Sequence, residues 1–285
     1  MSIMFLTILI IIGFCLGSFI NALVWRLHQQ ELIKKNNKAK KLVPQELSVL
    51  KGRSMCPNCR HRLGVIDLIP VISWLALRGN CRYCHKPISR QYPLIEIITP
   101  LLFIASYIWW PVNIQGYQVA VFALWLALLV GLIALSVYDL KWYILPSRII
   151  YPLYIIALVL AGIEILFSNN IPSALINEIV AIILGGGVFY ILFQVSNGKW
   201  IGGGDVRLGF LLGTIAGTPG KSILLLFLGS LIGSLTAIPL LISKKLKRNS
   251  VIPFGPFLIV AVIVIELFGH IILTWYQNTF FPTGF

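Results

Sequence analysis

The chain is broken again and again by apolar runs that carry almost no charge. Each is near the ~20 residues that a helix needs to cross a ~30 Å hydrocarbon core. They lie at 3–25, 94–111, 118–138, 149–167, 174–195, 206–217, 222–242 and 253–275. Inside lipid a backbone must satisfy its own N–H and C=O groups, which an α-helix does within one segment. The expected fold is therefore an all-α polytopic membrane protein of about eight transmembrane helices. The sixth run, 206–217, is short for a span. The first run has no basic residue before it and no small-residue cleavage site, so it is expected to remain as a span.

Charge is scarce and unevenly placed. Residues 26–90 carry 14 Lys or Arg against the acids Glu31, Glu46 and Asp67. With this segment in the cytoplasm and the spans alternating from there, 22 basic residues fall on the cytoplasmic side and only Lys221 on the other. That asymmetry is the positive-inside pattern, and it places both termini outside the cytoplasm. A basic segment can signal nucleic acid, but in a membrane loop it is read as contact with anionic headgroups, so no nucleic-acid partner is expected. The expected division is a first helix at 1–25, a cytoplasmic insertion at 26–93 and a seven-helix membrane domain at 94–285.

The insertion holds four of the five cysteines. Cys56 and Cys59 form one Cys-x-x-Cys pair, and Cys81 and Cys84 form another after an interval of 21 residues. Two such pairs read as a four-thiolate zinc site that is closed and hence structural. Two disulfides or free thiols are the alternatives, and disulfides are disfavoured in a reducing compartment. The stretch between the pairs holds Trp74 and is amphipathic. It suits either the membrane surface or the core of a small zinc ribbon. Cys15, inside the first run, reads as a small packing residue.

Only two aspartates accompany Asp67: Asp139, ending the third run, and Asp205, opening the sixth. The expected topology puts both at one depth, the cytoplasmic edge. Asp205 alone could be a helix N-cap. Asp139 cannot, because the C-terminal end of a helix dipole disfavours an anion. Two carboxylates at one depth suggest a dyad that shares a proton, the arrangement of an aspartic protease. Gly202, Gly203 and Gly204 lack Cβ atoms and would let a substrate backbone lie close to Asp205. A phosphate-binding loop is a weaker reading, since no Lys-Ser or Lys-Thr follows. A proton- or ion-coupled transporter also uses carboxylates in its spans, although its sites lie near the midplane.

Five segments together resemble the bacterial type 4 prepilin leader peptidase/N-methyltransferases, membrane aspartic proteases with a Gly-x-Gly-Asp motif. They are GSFINALVWRL (17–27), the cysteine segment from CPNC to YPLIE (56–96), YDLKWYILP (138–146), GGGDVRLGFLLG (202–213) and IPFGPFL (252–258). Three positions depart from the family pattern: His28 stands where Pro is usual, Ser147 where Asp is usual, and Arg207 where Lys is usual. The resemblance implies an inner-membrane peptidase that removes the basic leader of type IV prepilins and of type II secretion pseudopilins, cutting after a glycine. Similar enzymes then N-methylate the new terminal residue, usually Phe, with S-adenosylmethionine. It implies that Asp139 and Asp205 are the catalytic pair and that Cys56, Cys59, Cys81 and Cys84 hold zinc. Glu96, closing the YPLIE motif, is a candidate contact for the leader's basic charge or the acceptor amine, or else half of a buried ion pair. A peptidase without methyl transfer is the nearest alternative. No strand-turn-helix glycine fingerprint marks where the methyl donor sits.

Overall fold

A computed structural model describes residues 3–35, 47–49, 52–243 and 252–280. Part of the basic segment, 36–46 and 50–51, and the basic cluster at 244–248 lie outside the described residues. The chain forms two compact units, Met1–Ile108 and Trp109–Phe285.

In the first unit α1 (Ile3–Lys35) packs along α3 (Gln91–Ile108). Small residues set their spacing: a Cβ on Gly13 would lie 2.5 Å from the Pro100 Cα, and one on Gly17 would lie 2.9 Å from the Glu96 Cα. Such small-residue seams let membrane helices approach closely. Asn21 donates to the Tyr92 carbonyl at 3.0 Å across the same seam. Arg26 is not a free topology charge. It is 5% exposed and donates to the carbonyls of Ser48, Val49 and Gly52. Cys15, expected as a packing residue, is exposed on α1.

Between these helices lies a small lobe with a 3-10 turn at Ile66–Leu68 and the short helix α2 (Ile72–Ala76). The amphipathic stretch has a half-buried side and an exposed side. Trp74 turns inward and donates its indole N–H to the Ile88 carbonyl at 3.2 Å. Val65, Ile66, Ile72 and Leu75 form an exposed aliphatic surface.

The second unit contains α4 (Tyr117–Trp142), α5 (Ser147–Leu166), α6 (Ile171–Ser196), α7 (Gly203–Ala216), α8 (Pro219–Ile242) and α9 (Gly255–Phe280). Local chemistry marks the breaks. Asn170 caps α6 by accepting the Ser173 N–H at 3.1 Å, with a proline following in the first turn. Asn197 and then Gly198 close its other end at positive φ. Pro146 precedes α5, and Thr218 with Pro219 opens α8. The core is built on α4 and α7, where Leu128, Leu129, Leu132, Leu135, Leu208, Leu211 and Leu212 are all fully buried.

Among the described residues, seven helices are long and apolar enough to cross a membrane. The sixth expected span is α7, whose 14 residues reach about 21 Å and so cannot span alone. It is tolerated because it packs against α5, α6, α8 and α9. Its closest seam is with α6. A Cβ on Gly185 would lie 2.7 Å from the Gly213 Cα, and one on Gly213 would lie 2.8 Å from the Ala181 carbonyl.

Candidate active site and metal centre

Asp139 sits one turn before the end of α4 and is 5% exposed. The Tyr143 N–H bonds back to its carbonyl at 2.8 Å, with Tyr143 in the left-handed region, so the helix stops there. The helix end that disfavours the carboxylate is offset by another helix start. Gly255, the first residue of α9, donates its N–H to Asp139 Oδ2 at 3.2 Å. A free amide at a helix N-terminus is a natural donor to an anion. It also explains a glycine in the IPFGPFL segment, because a Cβ there would lie 2.7 Å from the same oxygen. Gly255→Ala should therefore push the Asp139 carboxyl aside. We expect peptidase turnover to fall about 10²-fold, the scale of a ~1 Å misplacement of a reacting group. Steady-state cleavage with a melting curve checks this, and turnover at the wild-type level would remove the role given to this contact.

Asp205 lies in the first turn of α7, with its own N–H bonded to the Gly202 carbonyl at 3.0 Å. The Asp139 and Asp205 carboxyls are near enough to feel each other's charge. The three glycines before Asp205 divide into two roles. None adopts a positive φ, so space rather than backbone freedom is what they supply. Gly204 is pressed against Leu145, where a Cβ would meet the leucine Cβ at 3.3 Å. Gly202 and Gly203 are exposed and leave the approach to Asp205 open.

Two of the three departures from the family pattern meet in space. Arg207 Nη1 donates to the Ser147 hydroxyl, joining the first turns of α7 and α5. Arg207 Nε donates to the Gly203 carbonyl at 3.2 Å, and the Tyr154 hydroxyl donates to the Arg207 carbonyl at 2.6 Å. A guanidinium can reach both Ser147 and Gly203, whereas an ammonium is a single point donor. Arg207 thus acts as a fork between the Ser147 hydroxyl and the Gly203 carbonyl. We expect Arg207→Lys alone to lower cleavage about 10-fold and Ser147→Asp with Arg207→Lys to restore it to within about 3-fold, a coupling of the size measured for residues in contact. Additive losses in that double-mutant cycle would count against the link.

The four cysteines converge. All are free thiols, and their four Sγ atoms lie within 4.8 Å of one another, with Cys56 and Cys84 4.0 Å apart. Zn–S bonds of ~2.3 Å in a tetrahedron place sulfurs ~3.8 Å apart, so the cluster fits one zinc and not two disulfides. The two halves repeat one geometry. Arg60 and His85, each just after the second cysteine, have positive φ. Their N–H groups bond to the carbonyls of Cys56 and Cys81 at 2.9 and 3.0 Å. Burial raises the Cys56 thiol to about 12. Burial also works to raise Cys81, but the N–H groups of Cys84 and Tyr83 outweigh it and bring that thiol down to about 7. Asp67, the remaining aspartate, has a local structural job. Burial opposes its ionisation, but Arg82 at 2.7 Å, the Tyr83 hydroxyl and the Gly64 N–H together hold it below the usual carboxylate range.

Glu96 is buried on α3 and accepts the Val71 N–H at 2.7 Å. It forms no ion pair among the described residues. Sequence reasoning missed a second polar group in the membrane unit. Lys221 pairs with Glu266 at 3.1 Å, near Glu164 and the buried Glu178. The signal was there to use, since any ionisable residue inside an apolar run marks a site to examine.

Two family profiles match the chain. The Bacterial Peptidase A24 N-terminal domain matches residues 11–110, and the Type IV leader peptidase family matches residues 126–238. A curated relative from Aeromonas hydrophila named Prepilin leader peptidase/N-methyltransferase is 30% identical over 97% of this chain and 95% of its own. The chain belongs to the type IV leader peptidase family. Relatives of the same name from Stutzerimonas stutzeri (30% identical, 94% of this chain and 92% of its own) and Bacillus subtilis (29%, 95% and 97%) extend the match. Both aspartates fall inside the leader-peptidase profile and all four cysteines inside the N-terminal one. No solved structure matches the chain. The relatives give no support to a transporter.

Proposed function

We propose that this leader peptidase removes the basic leader from type IV prepilins and type II secretion pseudopilins and then N-methylates the new terminal residue. What supports the peptidase half is that the Asp205 charge is felt at Asp139, with the Gly255 amide on Asp139 and open glycines beside Asp205. In this reading the ionised carboxyl takes a proton from water as its oxygen attacks the scissile carbonyl. The protonated carboxyl gives its proton to the carbonyl oxygen. Collapse of that adduct expels the amine, which takes a proton as it leaves. The exposed Gly202 and Gly203 give the substrate backbone room. The chain sits in the bacterial inner membrane with both aspartates at the cytoplasmic face and both termini outside, because that arrangement puts 22 of 23 basic residues on one side. Anionic headgroups meet the basic segment and the aliphatic surface around Ile66 and Ile72.

Cys56, Cys59, Cys81 and Cys84 would hold one structural zinc. S-adenosylmethionine, when bound, supplies a methyl group on a good leaving sulfur. Incubating the purified protein with a prepilin, with and without this donor, tests both halves by mass spectrometry. Loss of the leader after glycine and one added methyl on the new terminus are expected. An uncut prepilin would reject the reading, and cutting without methylation would leave the peptidase-only alternative.

A further inference from the structure

The first unit holds a partly open cavity of about 110 Å³ between the four-cysteine lobe and the α1–α3 pair. Trp25, Trp74, Tyr92 and Glu96 line it, and Cys56 and Cys81 form part of the same wall. Glu96 is 8% exposed. Its bonds come from the Val71 N–H and the Ser18 hydroxyl, and no Lys or Arg accompanies it among the described residues. The other carboxylate on the wall, Asp67, already has Arg82. Arg26, also on this wall, is committed to three backbone carbonyls. An ionised carboxylate taken out of water costs several kcal/mol unless a cation joins it. Val71 has φ +62, a strained conformation for a β-branched residue. Such strain persists where the surroundings fix it and gathers at working sites. Here the strained residue's amide holds Glu96 in place.

We propose that this cavity is the methyl-transfer site and that Glu96 is its catalytic residue, receiving the ammonium of the newly cut N-terminus and taking its proton while the aromatic rings cover the cation. This deepens the methyltransferase half of the proposed function and rests on it. The ammonium gives one proton to the Glu96 carboxylate. The freed lone pair forms the N–C bond as the methyl group's C–S bond breaks, and sulfur keeps that electron pair. A methylammonium and a neutral thioether leave, and Glu96 passes its proton to water. Rings of Trp and Tyr around a cation are a known attractive arrangement. Tyr92 stands one turn from Glu96 on the same face of α3.

Glu96→Gln separates the charge from the hydrogen bond, because the amide oxygen can still accept from Val71. The full-length variant should keep its metal and its melting temperature. Transfer of labelled methyl to a precut peptide with N-terminal Phe should fall about 10²-fold near pH ~6.5. The loss should shrink to under about 10-fold above pH ~9, where an α-amine of ordinary pKa ~7.7–8.0 sheds its proton unaided. Binding of S-adenosylmethionine and of S-adenosylhomocysteine, measured by calorimetry, should each stay within about 2-fold of wild type. The sulfonium is the rival cation for the same seat. Selective loss of S-adenosylmethionine binding would give Glu96 to the sulfonium and overturn the proposal. Equal loss of transfer at every pH, or no loss, would overturn it too. No transfer by the wild type would instead reject the methyltransferase reading beneath it.

Discussion

Asp139→Asn and Asp205→Asn are each expected to cut leader removal by at least about 10³-fold, and the double variant should be no slower than either single. One carboxyl must act as base and the other as acid, each worth roughly 10²–10⁴ in rate. Losing either leaves water unactivated or the carbonyl oxygen unprotonated. Residues that act as one unit give non-additive losses, so the second substitution has little left to remove. Asparagine is the right probe at 139, since its oxygen can still accept the Gly255 N–H that anchors the side chain. The variants should therefore remain folded and inserted, with unchanged melting. Rates are read by mass spectrometry on a synthetic prepilin in detergent or nanodiscs. A single variant that cuts within a few-fold of wild type would sink the dyad. So would a double variant far slower than both singles, which would mean two independent contributions.

Much of this site was legible from the sequence because few residue types can explain themselves in lipid. Two aspartates at run edges and two Cys-x-x-Cys pairs marked themselves as candidates, and the structure gathers the four thiols within 4.8 Å of one another. The helices follow their apolar runs to within a few residues, except that α1 continues to Lys35, past the end of its run at 25. What stayed hidden depends on contacts between segments far apart in the chain. That Asp139 is held by an amide 116 residues away cannot be read from either segment alone. The Ser147–Arg207 link was visible only as two unrelated departures until α5 and α7 were placed side by side. The glycine seams between α1 and α3 and between α6 and α7 were likewise silent. A glycine in an apolar run looks the same whether a neighbouring backbone presses on it or not. Glu96 was picked out by its motif, but its strained hydrogen-bond partner Val71 belongs to a loop whose path no local pattern predicts.

Removing the metal should also have a large effect, and on the other activity. The purified protein should carry about one zinc per chain, since four thiolates fill a tetrahedral shell. Cys59→Ser should lose that zinc and leave residues 56–84 sensitive to protease. The lobe's regular structure amounts to a five-residue helix, a 3-10 turn and two isolated β-bridges. In zinc-finger peptides the metal contributes roughly 10–16 kcal/mol of apparent folding free energy, more than so small a lobe could replace. Cys56 and Cys81 form part of the cavity wall, and the same lobe presents Trp74 and Val71 to Glu96. Methyl transfer to a precut peptide should accordingly drop by at least about 10²-fold, the scale set by misplacing reacting groups. Cleavage should fall far less, because every residue argued to carry it lies in the second unit. Asp205→Asn should show the mirror image, with cleavage lost and methylation of the precut peptide retained. Elemental analysis, limited proteolysis and the two assays run side by side read all of this. Metal-free wild-type protein purified without chelator would defeat the zinc assignment. Equal loss of both activities in a folded Asp205→Asn variant would defeat the division of labour between the two units.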